Sequence, residues 1–330
     1  MNQQPWVEKY RPKYVRDVVH HENVKKVLYG AHSTGDLPHL LFHGPPGTGK
    51  TSTVLALART LFGDSNLRER VLELNASDER GLDVVRDKIK TFSKVSVSFH
   101  ADCPPIKIVI LDEADTMTPY AQSALRRMME THAAVTRFCL VCNYASKIIA
   151  PLASRCAKFR FSPLSSASMK GRLLHICERE SIVFEDCSKS VLDAIVSSSG
   201  GDMRKSVNLL QTVSQLPRVT PSAIVEISGE VPDRVLHNLW SAVVASKKSF
   251  AGMMDAVLYF VGEGFSVGKA LSAFLERVVC SSTVSDTGKS VICLKLMEAD
   301  RRLNDGADEE LQLLDVCCVI QDELFSHLRL

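Results

Sequence analysis

At 330 residues, 45% hydrophobic and 24% charged, the chain has an ordinary globular composition and is long enough for two or three domains with their own cores. Its 40 Lys and Arg against 38 Asp and Glu leave a formal charge of +2, so only local clustering can favour a polyanionic partner. No apolar run approaches a bilayer span and the N-terminus has no apolar leader, so the 10 cysteines are expected as free thiols in a reducing compartment.

In chain order, the first informative segment is the apolar run Leu40-Leu41-Phe42, which reads as a short strand. It is followed by Gly44-Pro45-Pro46-Gly47-Thr48-Gly49-Lys50-Thr51 and then by a helical stripe of Val54, Leu55, Leu57, Ala58 and Leu61. Strand, glycine-rich loop and helix N-terminus form a phosphate-binding unit. The loop amides face the anion, Lys50 reaches the β and γ oxygens of ATP and the Thr51 hydroxyl is a Mg²⁺ ligand. Val71 to Leu74 reads as a second strand, and Asn75-Ala76-Ser77-Asp78 leads into a helix bearing Arg80, Arg86, Lys88 and Lys90. Those four cations could follow a nucleic-acid backbone. Threaded by Asp83 and Asp87, they are equally a solvated helical face.

Ile106 to Leu111 is apolar on both faces, as a central parallel strand requires, and it ends on Asp112-Glu113. A carboxylate at a strand tip can hold Mg²⁺ through water, and its neighbour can polarise an attacking water; the alternative is a cap for the following helix. Asp112-Glu113-Ala114-Asp115 also spells the signature of DEAD-box helicases, but the chain has no Ser-Ala-Thr and no second α/β half. Arg126 and Arg127 lie on the next helix. Arg137 to Cys142 is a further strand, in which Cys139 and Cys142 point to opposite faces, so this C-x-x-C is neither a metal nor a redox pair. Asn143 follows it, where an amide can touch a γ-phosphate or simply cap a turn. Ser154-Arg155-Cys156 precedes a last strand, Lys158 to Phe161. Phosphates are expected at the carboxyl ends of these strands, where Gly44, Asp112 and Asn143 fall.

After Pro163 the strand signals stop. Helical spacing recurs through Leu173 to Cys177, Val191 to Val196 and Val207 to Val213, and Gly200-Gly201-Asp202-Met203-Arg204 opens a helix. Gly229 and Pro232 mark a boundary. Beyond it amphipathic stripes run over Val235 to Val244, Leu271 to Val279 and Leu311 to Leu324, the last containing Cys317 and Cys318 as packed residues.

The motifs together resemble small subunits of replication factor C, the eukaryotic sliding-clamp loader built from AAA+ ATPases. The resemblance rests on Pro5-Trp6-Val7-Glu8-Lys9-Tyr10-Arg11-Pro12, the phosphate loop, Leu74 to Gly81, the acidic strand, Ala124 to Glu130, Ser154-Arg155-Cys156 and Gly201 to Arg204, in that order. Pro119 to Gln122 and Cys142-Asn143-Tyr144 make the chain most similar to the subunit numbered four in vertebrates and two in budding yeast. The resemblance implies a five-stranded parallel AAA+ domain with helices on both faces over 1–162, a small helical lid over 163–228 and an all-α collar over 229–330. It further implies adenine and ribose contacts at Val7, Arg11 and Val19, a phosphate loop from Gly44 to Ser52, sensors at Asn143 and Arg204, and hydrolytic roles for Lys50, Asp112 and Glu113. Arg155 resembles an arginine finger serving a neighbouring subunit, and Arg80, Arg86 and Lys147 resemble DNA-backbone contacts. The implied partners are the other subunits of a hetero-pentamer, the ring-shaped clamp and primer-template DNA, in the nucleus. An ATP-binding scaffold with dispensable hydrolysis and a AAA+ protein remodeller are the rival readings.

Overall fold

The computed structural model describes residues 4–18, 37–76, 82–95, 103–182, 188–216, 219–245, 250–282 and 284–325, with isolated positions between 24 and 30. The chain divides into two compact units, 1–217 and 218–330.

The first unit is built on five parallel strands, β1 (His39–His43), β2 (Val71–Asn75), β3 (Lys107–Asp112), β4 (Thr136–Cys142) and β5 (Cys156–Arg160), in the order β2-β3-β4-β1-β5. All five expected strands are present, shifted by a residue or two at their ends. Alternation along each strand sends its side chains to two different cores. Leu40, Phe42, Ile108, Ile110, Cys139 and Val141 pack on one face beneath Val54, Leu57, Ala58 and Leu61 of α2 (Lys50–Arg70). Leu41, Val109, Leu111, Leu140 and Cys142 pack on the other with Ile89 of α3 (Leu82–Lys94) and Leu125 and Met129 of α4 (Pro119–Thr131). Cys139 and Cys142 therefore lie on opposite faces, and no cluster of three or more His, Cys, Asp or Glu suited to a metal occurs among the described residues. The register Asn75 to Asp112 and His43 to Cys142 brings the carboxyl ends to one edge of the sheet, where Gly44, Asp112 and Asn143 emerge.

α2 consists of two helical segments that meet at a kink at Gly63, whose φ of 70° and ψ of 170° are not helical, so the second segment extends past the stripe legible in sequence. A four-residue helix, α1 (Trp6–Lys9), precedes the sheet, and another, α5 (Ala150–Ala153), precedes β5. After β5, the described residues of the first unit form three helices: α6 (Ser166–Arg179), α7 (Ser188–Ser199) and α8 (Met203–Val213). They bury Met169, Leu173, Ile176, Val191, Ile195, Val207 and Leu210. Asp202 caps α8 by accepting from the amides of Arg204 at 2.8 Å and Lys205 at 3.1 Å.

The second unit is helical: α9 (Pro221–Ile227), α10 (Asp233–Val244), α11 (Phe250–Gly262), α12 (Val267–Cys280), α13 (Asp286–Asn304) and α14 (Glu309–Phe325). Val235, Leu239, Phe260, Phe274, Ile292, Leu313, Val316 and Cys317 form its core. No described helix is long and apolar enough to cross a membrane.

Candidate nucleotide site

The loop between β1 and α2 is shaped by its glycines. Gly44 and Gly47 have φ values of 149° and 68°. A β-carbon on Gly44 would lie 2.0 Å from the Phe161 carbonyl oxygen, and one on Gly47 would lie 1.7 Å from Asp202 Oδ1. The loop therefore touches the start of α8, to which it is also joined by the Met203 amide donating to the Gly47 carbonyl at 3.2 Å. Lys50 Nζ donates to the carbonyls of Gly44 at 2.7 Å and Pro45 at 2.8 Å and to Asn143 Oδ1 at 2.9 Å. Burial lowers the Lys50 pKa, while nearby Asp112 opposes that shift.

Thr51 Oγ1 donates to Asp112 Oδ2 at 2.7 Å, joining the first turn of α2 to the tip of β3. Asp112 Oδ1 accepts from the Glu113 amide at 2.9 Å. Glu113 adopts left-handed backbone angles, φ 53° and ψ 37°, and its side chain is exposed. Asp115 Oδ2 accepts from the amides of Asn143 and Tyr144, both at 3.3 Å, and so fixes the turn that carries the Asn143 side chain to Lys50.

One cavity is lined by the loop from Pro46 through Thr53, by Asp112, Glu113 and Asn143, by Leu164, Arg172, Ile176, Met203, Arg204 and Val207, and by Val7, Arg11 and Val18 among the N-terminal residues. The residues anticipated from sequence at 7, 11, 47–52, 112, 113, 143 and 204 thus meet in one place, and Pro46 with them. Gly44 and Pro45 contribute their carbonyls to Lys50 from beneath. Val19 lies outside the described residues; its neighbour Val18 is buried and lines the cavity. Arg11 Nε donates to Ser52 Oγ at 3.0 Å.

Neither Arg155 nor Lys147 lines this cavity. Arg155 is held by Glu130 of α4 at 2.5 Å and donates to the Pro151 carbonyl at 2.7 Å. Lys147 is exposed, with its ammonium 5.3 Å from the centre of the Tyr144 ring. Arg80 lies outside the described residues, and Arg86 falls on α3 with its side chain likewise outside them.

The positioning roles of several residues had no signal in the sequence. Asp115 was visible only as the last letter of a motif. Gln122, buried on α4, donates to the Met117 carbonyl at 3.2 Å and the Lys147 carbonyl at 3.0 Å, and accepts from the Ile149 amide at 2.8 Å. Arg172, Glu180 and Gln211 hold the N-terminal segment from helices more than 150 residues away.

Comparison with known proteins agrees with this architecture. The AAA family, described as ATPases associated with various cellular activities, matches residues 40–164, and the replication factor C C-terminal domain matches 231–319. Replication factor C subunit 2 of Oryza sativa is 48% identical over 98% of this chain and 96% of its own length. Subunit 4 of Homo sapiens is 47% identical over 97% of this chain and 88% of its own. Among solved structures, the Thermotoga maritima RuvB branch-migration motor superposes with a TM-score of 0.52 at 18% identity, over 77% of this chain and 85% of its own, a likeness of fold. A phosphate-loop AAA+ domain followed by this C-terminal domain, with near half identity along the whole length, makes the chain a member of the replication factor C small-subunit family of clamp-loader ATPases.

Proposed function

We propose that the cavity binds ATP with its phosphates on the loop from Gly44 to Ser52 and its base and ribose against Val7, Arg11 and Val19, with Asn143 and Arg204 reading the γ-phosphate. The observation that carries this reading is the convergence of the loop, Asp112, Glu113, Asn143 and Arg204 on one cavity. Mg²⁺ fits the hard oxygen donors paired there, Thr51 Oγ1 and Asp112 Oδ2, 2.7 Å apart. When bound it neutralises charge on the phosphate oxygens. Lys50 then holds the β and γ phosphates. Glu113 orients a water and takes its proton as the water oxygen bonds to the γ-phosphorus, the bond to the bridging oxygen breaks, and ADP and inorganic phosphate leave.

In the assembled hetero-pentamer we assign Arg155 to a neighbouring subunit's ATP, and Arg80, Arg86 and Lys147 to the backbone of primer-template DNA. ATP binding would open the ring-shaped clamp and hydrolysis would release it, in the nucleus. We also propose the functional division 1–162, 163–228 and 229–330 for ATPase, lid and collar.

Ground-state and transition-state contacts separate in a pair of variants. Lys50→Ala is expected to weaken ATP binding at least tenfold, whereas Glu113→Gln keeps affinity and slows single-turnover hydrolysis by two orders of magnitude or more, about 3 kcal/mol of barrier. Equal loss of binding in both variants would overturn the assigned roles. Full clamp loading by a complex carrying Glu113→Gln would make this subunit's hydrolysis dispensable.

A further inference from the structure

The N-terminal wall of the cavity has little structure of its own. α1 is four residues long, too short to hold itself together, so the position of Trp6 to Pro12 is set by side-chain ties. One tie runs to the phosphate-loop helix, from Arg11 Nε to Ser52 Oγ. The others run to α6 and α8. The Trp6 amide donates to Gln211 Oε1 at 3.1 Å, and Arg172 donates to the Tyr10 carbonyl at 2.7 Å. Glu180, at the C-terminal end of α6, accepts from both Lys9 Nζ and the Tyr10 hydroxyl through the same oxygen, each at 2.5 Å.

Glu180 does not line the cavity, yet Tyr10 and Arg11 do. Its side chain is 19% exposed, and it receives a charged and a neutral donor at once. Both hydrogen bonds, that from Lys9 foremost, hold its carboxyl below the usual carboxylate range. The carboxylate is therefore a preorganised anchor point between a segment without internal stability and a packed helix.

We propose that Glu180 is a positioning residue for nucleotide: by fastening Lys9 and Tyr10 to the end of α6, it holds the base-side wall closed and sets how long ATP stays bound. This rests on the ATP reading of the cavity. Glu180 touches no reacting atom, so its loss opens the wall and leaves the loop, Asp112 and Glu113 in place. The effect belongs to release, not to hydrolysis.

The test uses the full chain with Mg²⁺ and an ATP analogue fluorescent at the ribose. Release is measured by chasing with unlabelled ATP, and hydrolysis of bound ATP in a single turnover. Glu180→Ala is expected to release nucleotide about tenfold faster, with the single-turnover rate within twofold of the parent. Tyr10→Phe, which removes one hydroxyl and keeps the ring, is expected to shift release in the same direction by a smaller factor, and it serves should Glu180→Ala fail to fold. Glu180→Gln keeps an acceptor and is expected to restore most of the residence time. Since a general loss of fold would slow hydrolysis as well as speed release, faster release with unchanged hydrolysis separates positioning from mere stability. Parental release in both Glu180→Ala and Tyr10→Phe would overturn the proposal. Lys50→Ala run in parallel distinguishes the two failures: if it binds the analogue like the parent, the ATP reading itself falls, and if it loses binding while Glu180→Ala behaves as the parent, only the Glu180 proposal falls.

Discussion

Glu113 stands on a backbone that disfavours it. At φ 53° and ψ 37° a side chain with a β-carbon meets its own carbonyl, at a cost of about 1–2 kcal/mol. The surroundings impose the conformation: the Glu113 amide donates to Asp112 Oδ1, and its carbonyl accepts from the Thr116 amide at 2.9 Å and the Thr116 hydroxyl at 2.8 Å. The chain leaves β3 and enters a tight turn within one residue, and Glu113 there lines the cavity. Such strain collects where geometry matters more than stability. It has a measurable sign. At an ordinary position glycine is less stable than alanine by about 0.5–1 kcal/mol, whereas at Glu113 the order is expected to reverse, with Glu113→Gly more stable than Glu113→Ala by about 1 kcal/mol. Both variants are expected to lose hydrolysis. Urea denaturation of the pair measures the difference, and a more stable Glu113→Ala would show that residue 113 is not held in the left-handed region.

At the scale of elements, one buried charge joins a strand of the sheet to the end of a helix. Lys107 opens β3 almost fully buried, and its ammonium donates to the carbonyls of Phe92 and Val95, both at 2.6 Å, where α3 ends. The last carbonyls of a helix lack partners within it, so the lysine supplies what the next turn would have supplied. It also stands 4.7 Å over the Phe92 ring. Lys107→Met would keep most of the apolar stem and lose the cap. Because methionine also escapes the cost of burying an ammonium, the net loss of stability is expected to be small, about 1 kcal/mol. The local consequence is larger. Amide exchange at residues 92–95 is expected to accelerate about tenfold relative to the centre of β3, and parental exchange there would refute the capping role.

Lys107 also marks where sequence reading stops. The three central strands were legible because their residues are apolar on both faces, the edge strands β2 and β5 as short runs alternating with helical patterns, and the phosphate loop because each letter of it has one chemical task. A lysine inside a strand, 12 and 15 residues from its partners, carries no such mark. The same holds for Glu180 and Gln211, whose partners lie 170 and 205 residues away, a separation that only the folded chain removes.

For the molecule as a whole, the roles proposed for two groups of cations predict different partners, and Arg155 and Lys147 both lie away from the cavity lining. Arg155 rests against Glu130, close enough for a strong ion pair yet 39% exposed, so it can exchange that carboxylate for a phosphate presented by another chain. In an assembled complex, Arg155→Ala is expected to leave this subunit's own ATP affinity within twofold and to lower turnover at the neighbouring site by two orders of magnitude or more, because a finger acts on transition-state charge. Replacing Arg80, Arg86 and Lys147 together is expected to do the opposite, preserving turnover at saturating DNA while weakening primer-template binding. If each cation neutralises one phosphate, the slope of log affinity against log salt falls by up to about 2.7, the sum of three contributions of about 0.9. Sequence preference would not change, since phosphates carry none. Measuring ATP turnover and the salt dependence of DNA affinity on both variants gives a double dissociation. A loss of turnover by Arg155→Ala in the isolated chain would place the arginine in cis, and an unchanged salt slope would return the three cations to the solvated face that charge pattern alone also allows.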